Sequence, residues 1–159
     1  MSEPADSPRV RVLPPLVYLA AFGLAGLADR LRPWPIATGD AGELALRISG
    51  GVLVAAGLLL DFWSVRLFRR AGTSPLPFQP ASAMVGAGPY RWTRNPMYLG
   101  MTMALAGIGL LLGRAWIALS ALAAALVIDR YAIAREERYL ERRFGEAYLA
   151  YKRSARRWL

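Results

Sequence analysis

The amino-acid sequence predicts an all-α integral membrane protein with about four transmembrane helices and a cytosolic cap. Three observations support this fold class: a hydrophobic content of 55%, four long uncharged stretches, and basic residues gathered between and after those stretches. With 159 residues and no cysteine, the chain fits one domain without disulfide bonds. We expect residues 1–70 to form two anchoring helices and residues 71–159 to form the functional core.

Four stretches lack charged residues and are rich in Leu, Ala, Gly and Val: 12–28, 48–60, 97–113 and 115–128. A helix needs about 20 apolar residues to cross a bilayer, with a lower limit near 17. The two shorter stretches reach this length as spans 44–62 and 115–134. The second of these includes Asp129 and Arg130, which are costly at membrane depth unless they are paired or interfacial.

Two alternatives to this assignment remain open at the sequence level. Residues 115–128 could form a re-entrant or buried helix, and residues 12–28 could imitate a secretory signal. The signal is disfavoured because Asp29 and Arg30 stand where small cleavage-site residues are expected. We therefore treat residues 14–28 as a retained first helix.

The distribution of Lys and Arg predicts the orientation in the membrane. Placing the N-terminus, the loop after the second helix and the tail on one side collects 16 of the 20 basic residues there. The positive-inside rule then puts both termini in the cytoplasm, as for a bacterial inner-membrane protein. The net charge of +9 is thus accounted for by topology, and we predict no nucleic-acid partner and no metal site.

Residues 71–90 are uncharged, but their four prolines and three glycines exclude a spanning helix. Apolar residues such as Leu76, Phe78, Met84 and Val85 favour a cytosolic loop that packs on the protein or membrane surface. Beyond the hairpin turn at Gly113-Arg114, the tail is charged yet periodic. Its pattern predicts two amphipathic helices separated at Gly145.

Helix packing is the expected role of five glycines, Gly50, Gly51, Gly57, Gly107 and Gly109.

The string GPYRWTRNPMYLG at residues 88–100 marks the start of the third helix. Asn95 is a favoured N-cap whose side chain can accept from the amide of Met97 or Tyr98, and Pro96 suits the first helical position. A second string, REERYL at residues 135–140, lies in the tail. By itself, its glutamate pair would be an ordinary surface ladder on a helix.

The order of the motifs resembles one family. An Arg-x-Pro-x-Tyr-x-Gly motif at 94–100, a helical hairpin, a Glu-Glu-x-x-Leu motif at 136–140 and a Phe-Gly-x-x-Tyr-x-x-Tyr-Lys motif at 144–152 are similar to the isoprenylcysteine carboxyl methyltransferase and phospholipid methyltransferase superfamily. The resemblance covers residues 71–159. One departure is that the family's usual histidine before the proline is Asn95, which cannot titrate near neutral pH.

This resemblance implies an enzyme that transfers a methyl group from S-adenosylmethionine to a lipophilic substrate, a lipid or isoprenoid in or near the bilayer. A helix N-terminus suits the carboxylate of that cofactor, and a glutamate suits its ammonium or ribose diol. The implied cofactor-binding residues are Asn95, Tyr98, Glu136, Glu137 and Leu140, and Arg91 and Arg94 are the candidate catalytic residues that orient an anionic group.

Helical spacing separates the two glutamates. Asp129, Ile133, Glu136 and Leu140 would form one stripe and Glu137 would fall on the next, so we expect one glutamate to face the cofactor. Two other functions remain open, an NADPH-dependent reductase of the sterol-reductase type and a non-catalytic membrane scaffold. The sequence carries no dinucleotide fingerprint, and it leaves the methyl acceptor and the oligomeric state open.

Overall fold

The computed structural model describes residues 10, 12–36, 39–76 and 79–159, and within these ranges it contains helices and no strand. The predicted all-α class is therefore confirmed. Arg9 and Arg11, which entered the charge count, and Phe78 of the loop lie outside the described residues. The α-helices are α1 Pro14–Leu31, α2 Asp40–Arg70, α3 Pro96–Leu111, α4 Ala115–Ile128, α5 Ala134–Phe144 and α6 Glu146–Ser154.

Among the residues that the structure describes, two helices are long and apolar enough to cross a membrane. They are α2, with 31 residues, and the continuous helix Ala115–Phe144 formed by α4, a π-helical turn and α5. Large apolar side chains such as Leu59 and Leu122 are more than 60% exposed on their outer faces. An apolar outer surface of this extent fits a lipid environment.

Close packing of α2 against α3 forms the centre of the bundle, and it depends on paired glycines. A β-carbon at Gly50 would lie 2.7 Å from the carbonyl oxygen of Gly107, and one at Gly57 would lie 2.5 Å from that of Gly100. Gly109 is in equally tight contact with the backbone of Ala118 on α4. The predicted packing role is confirmed for Gly50, Gly57, Gly107 and Gly109, but it is wrong for Gly51, where a β-carbon would meet nothing closer than 4.0 Å.

The α3–α4 connection is the predicted tight hairpin. Gly113 adopts a φ of 61°, a left-handed conformation that favours glycine. The link between α1 and α2 packs against this turn, because the Ile36 amide donates to the Gly113 carbonyl at 3.0 Å and the Ala115 amide donates to Trp34 at 2.9 Å. An ion pair of 3.2 Å between Arg114 and Asp29 closes the same end of the bundle.

The tail folds into the two predicted helices. Gly145, with a φ of 53°, separates α5 from α6. The chain then returns to the start of α3, where the Arg94 amide donates to the Arg156 carbonyl at 2.7 Å and the Arg156 amide donates to Trp92 at 3.1 Å. These bonds place the end of the chain against the segment that precedes α3.

Replacing Gly57 by alanine is expected to lower the free energy of unfolding by about 1 to 3 kcal/mol, because the new methyl group would collide with the Gly100 backbone. Thermal unfolding in detergent measures the change. Gly51→Ala is the matched control, since a β-carbon there lies 4.0 Å from the nearest Leu111 atom. Equal stability of the two variants would contradict the glycine-dependent crossing.

Candidate functional site

A cleft of about 850 Å³, counting the space open to solvent, lies where the loop, the start of α3 and the tail helices meet. Both apolar and polar side chains line it. They are Phe68, Ser74, Pro75, Leu76, Gln79, Ala81, Ala83, Met84, Val85, Tyr90, Arg94, Asn95, Met97, Tyr98, Glu136, Glu137, Tyr139, Leu140, Tyr148 and Tyr151.

The start of α3 contributes a helix N-terminus to this cleft. Asn95 and Pro96 occupy the predicted N-cap and first helical positions, but the predicted side-chain cap is wrong. The Asn95 amide group instead donates to the Arg157 carbonyl at 2.9 Å, because the returning end of the chain supplies a nearby acceptor. The amides of Met97 and Tyr98 therefore have no partner within the helix or from its cap, and both residues line the cleft.

The π-helical turn Asp129–Ile133 sets the register of the glutamate pair. In an uninterrupted α-helix Asp129 and Glu137 would point about 80° apart, since eight residues turn through about 800°. The wider turn adds one residue and brings them to within about 20° of each other. The predicted stripe that joined Asp129 to Glu136 is therefore wrong.

Contacts from one arginine confirm this register. The Arg157 guanidinium lies 3.4 Å from Asp129 Oδ2 and 2.5 Å from Glu137 Oε2. The indole of Trp158 also donates to Asp129 at 2.9 Å. Asp129 is thus paired at the end of its membrane-length segment, which removes the cost expected of an isolated charge there.

Glu137 is the centre of a buried ion-pair junction. Its side chain is 6% exposed and that of Arg94 is 9% exposed, and Arg94 Nη2 lies 2.9 Å from Glu137 Oε1. Burial raises the pKa of Glu137, but the hydrogen bonds and charges of Arg157 and Arg94 outweigh burial and hold that pKa below its usual value. Glu137 is accordingly a carboxylate at neutral pH, with its negative charge balanced inside the protein.

Most of the Arg94 side-chain N–H groups donate hydrogen bonds to other groups of the protein. Its Nε and Nη2 groups donate to Glu137, and its Nη1 group donates to the carbonyls of Lys152 and Ala155 at 3.1 and 2.5 Å. Arg94 therefore joins the start of α3 to α5 and to the end of α6. This is a positioning role for the wall of the cleft.

Glu136 occupies a different environment from its neighbour. The Tyr98 hydroxyl donates to Oε1 of Glu136, whereas Oε2 takes no hydrogen bond from the described residues. Burial raises the pKa of Glu136 to about 7, although the hydrogen bond from Tyr98 opposes this and the charge of Glu137 adds to it. Of the two glutamates, Glu136 is therefore the one whose Oε2 can accept a hydrogen bond from a ligand in the cleft.

The loop after α2 closes one side of the cleft. The Ala81 amide donates to the Tyr139 hydroxyl at 3.0 Å, and Ser82 bonds to Thr73 and Gly72 within the loop. The Tyr151 hydroxyl donates to the Tyr90 carbonyl at 2.7 Å. The prediction that this loop packs on the protein is confirmed for its described residues.

Six of the seven predicted site residues line the cleft. They are Arg94, Asn95, Tyr98, Glu136, Glu137 and Leu140. Arg91 is exposed and does not line it. Sequence reasoning missed Arg157, for which no motif gave a signal, and it missed Tyr90 and Phe68. Phe68 belongs to α2, which was predicted to be an anchoring helix only.

The described part of the chain is thus all-helical, has two helices of membrane-spanning length and carries a cleft at the start of α3. The sequence profile of the phospholipid methyltransferase family matches residues 46–147. The chain belongs to this family, and the predicted membership in the wider superfamily is confirmed.

One relative from Haemophilus influenzae is 44% identical over 63 residues, which cover 40% of this chain and 100% of the relative. That relative is itself named only as an uncharacterized protein, so the similarity carries no information on function. A search of the solved structures found no match.

Replacing Glu137 by glutamine is expected to lower the free energy of unfolding by about 3 kcal/mol, because the buried Arg94 loses its counter-charge. Thermal unfolding measures this change. Glu141→Gln on the same helix is the control, since its pair with Lys152 is about one-third exposed and worth less than about 1 kcal/mol. If the two variants are equally stable, the junction does not hold the fold.

Proposed function

We propose that the protein transfers a methyl group from S-adenosylmethionine to a lipophilic acceptor in or at the membrane. The observation that carries this proposal is the cleft that joins the α3 N-terminus to Glu136 in a chain of the phospholipid methyltransferase family. The proposal does not specify which atom of the acceptor receives the methyl group. The reductase and scaffold functions become outcomes of the test.

The chemistry of the cleft fits the cofactor. The amides of Met97 and Tyr98, at the positive end of the α3 dipole, suit the amino-acid carboxylate. The unpaired Oε2 of Glu136 suits the ammonium or the ribose diol. Phe68 and Leu140 provide apolar wall for adenine. In this proposal Asn95 and Glu137 do not contact the cofactor. Asn95 bonds to the Arg157 carbonyl and Glu137 pairs with Arg94 and Arg157, and these contacts position the cleft wall.

The two arginines have separate proposed tasks. Arg94 positions the cleft wall through its bonds to Glu137, Lys152 and Ala155. Arg91 is exposed near the mouth, next to Tyr90 of the cleft, and is the candidate to orient an anionic group of the acceptor. Orientation of the acceptor and exclusion of water contribute most of the acceleration in a direct displacement of this kind. The bound cofactor supplies the electrophilic sulfonium methyl group.

The proposed membrane arrangement has four spans, residues 14–28, 44–62, 97–113 and 115–134, with α5, α6 and both termini in the cytoplasm of a bacterial cell. It rests on the distribution of basic residues and on the apolar outer surface. In this arrangement one domain combines residues 1–70 and the catalytic core 71–159. The cofactor then enters from the cytosol, and the acceptor enters sideways from the bilayer.

Calorimetry with purified protein is expected to detect binding of S-adenosylmethionine and of its demethylated product but not of NADPH. Glu136→Gln is expected to weaken cofactor binding by about 1.5 to 3 kcal/mol, as for a lost hydrogen bond to a charged group. Because the pKa of Glu136 is raised to about 7, binding to the wild type should also weaken as the pH falls from 8 to 6. The variant should lack this dependence.

Glu141→Gln, which lies outside the cleft lining, is the matched control and should bind like the wild type. Binding of NADPH alone would favour the reductase, and binding of neither cofactor would favour the scaffold. An unchanged affinity in a folded Glu136→Gln variant would mean that the cofactor lies elsewhere.

Single cysteines introduced at Ser82, Arg114 and Ser154 test the topology, because the native chain has no cysteine. We expect a membrane-impermeant thiol reagent to label positions 82 and 154 from the cytosolic side and position 114 from the other. Labelling of all three from one side would exclude four spans.

A further inference from the structure

A second groove lies at the end of α2, on the side of the helix that faces away from the cleft. It measures about 780 Å³, counting the space open to solvent. Five residues of α2 line it, and they are Phe62, Val65, Arg66, Arg69 and Arg70. Arg66 and the cleft residue Phe68 are two positions apart, so they point about 160° away from each other. No described residue lines both the groove and the cleft.

The groove marks the level at which the outer face of α2 changes from apolar to basic. Up to this level the face is a stripe of apolar side chains at helical spacing, each at least 60% exposed. Its members include Leu44, Ile48, Val52, Leu59 and Phe62. Arg66, Arg69 and Arg70 are also exposed, and they continue the same face. This change is typical of a helix that leaves the hydrocarbon layer and enters the lipid head groups.

The three arginines have no counter-charge close to them. Their guanidinium groups make no ion pair or hydrogen bond with the described residues. The sequence has no Asp or Glu between Asp61 and Asp129, and the Asp61 carboxylate packs against α3. Arg66 is separated from Arg69 and Arg70 by three and four positions, spacings at which like charges on a helix repel each other. An anion beside them would relieve this repulsion.

The direction of the side chains brings these charges toward the membrane. The Cα–Cβ bonds of an α-helix tilt toward its N-terminus. In the proposed arrangement α2 leaves the span 44–62 toward the cytosol, so the arginines that follow Phe62 reach back to the bilayer surface. Arg66 lies about 6 Å along the helix axis from Phe62. This distance places Arg66 within a head-group layer, which is about 5 to 8 Å thick on each side of the bilayer.

A phosphate attached to acyl chains fits both parts of the groove. Guanidinium groups bind phosphate oxygens through paired, charge-assisted hydrogen bonds. With a phosphate at the arginines, an acyl chain would lie against Phe62 and Val65 and continue along the apolar stripe. A free phosphate ion would use only the basic part of the groove. The occupant that matches the whole groove is therefore a phospholipid with a net negative charge.

We propose that this groove binds one anionic phospholipid, with its phosphate at Arg66, Arg69 and Arg70. The lipid is a bound partner and not the methyl acceptor, because it lies on the side of α2 that faces away from the cleft. By neutralising the arginines it stabilises the end of α2, the helix that contributes Phe68 to the cleft. The inference uses the proposed membrane arrangement but does not depend on methyl transfer.

Native mass spectrometry of the purified full chain in maltoside micelles counts the lipid molecules that remain bound. The probes are dioleoyl phosphatidylglycerol, which is anionic, and dioleoyl phosphatidylcholine, which is zwitterionic and has the same acyl chains. We expect the wild type to bind one phosphatidylglycerol about tenfold or more tightly than phosphatidylcholine, as for several arginines beside an anionic head group. Phosphatidylglycerol should also raise the melting temperature, because it binds the folded state.

Replacing Arg66, Arg69 and Arg70 together by glutamine should abolish the preference for phosphatidylglycerol. The matched control removes the same charge from exposed positions of α5 and α6. Its substitutions are Arg138→Gln, Arg142→Gln and Arg153→Gln. The control should keep the preference. If the control loses it equally, the overall charge of +9 attracts the lipid and the proposal is wrong. Unchanged preference in the α2 variant would also overturn it.

Two further measurements separate a lipid site from a phosphate site and from an effect on folding. Glycerol 1-phosphate carries the phosphate without acyl chains, so it should not raise the melting temperature at the concentrations at which phosphatidylglycerol does. An equal rise would make the groove a site for free phosphates and overturn the proposal. In micelles without added lipid, the α2 variant should melt no lower than the wild type, because three like charges have been removed. Its loss of lipid would then not arise from unfolding.

Discussion

The buried carboxylate of Glu137 holds together three segments of the chain beside the cleft. It pairs with Arg94, which precedes α3, and with Arg157, near the end of the chain, while its own backbone belongs to α5. These segments are far apart in sequence, and none can leave without exposing an unpaired charge in a region shielded from water. The start of α3 therefore has a defined position only when the tail is folded against it.

The π-helical turn allows this junction to coexist with a binding site. By adding one residue between α4 and α5, it aligns Asp129 with Glu137 on the side that faces Arg157. Glu136 is rotated away from that cluster and meets Tyr98 at the cleft instead. Two adjacent, chemically identical side chains thereby have pKa values shifted in opposite directions: the cations around Glu137 lower its pKa, and burial raises that of Glu136.

Local signals in the sequence were sufficient to predict where several helices begin and end. The Asn95-Pro96 helix start, the Gly113 turn and the Gly145 break each depend on residues next to one another, and the structure has all three. The predicted Asn95 cap and the predicted Asp129–Glu136 stripe were wrong because the first depends on a residue far away in sequence and the second on a π-helical turn. Arg157 lies 62 residues from Asn95 and carries no motif, and the π-helical turn has no compositional signature.

Packing and chemistry are joined most closely at Gly100, the glycine of the Arg-x-Pro-x-Tyr-x-Gly motif. Its missing side chain admits both the Gly57 backbone and the Asp61 carboxylate from α2. A larger residue would separate the helices and displace the acid, so the sequence could not gain core volume there without disturbing both the crossing and the carboxylate. Because the same crossing also sets the height of Phe68 against Tyr90, α2 shapes the cleft floor as well as filling a place in the bundle.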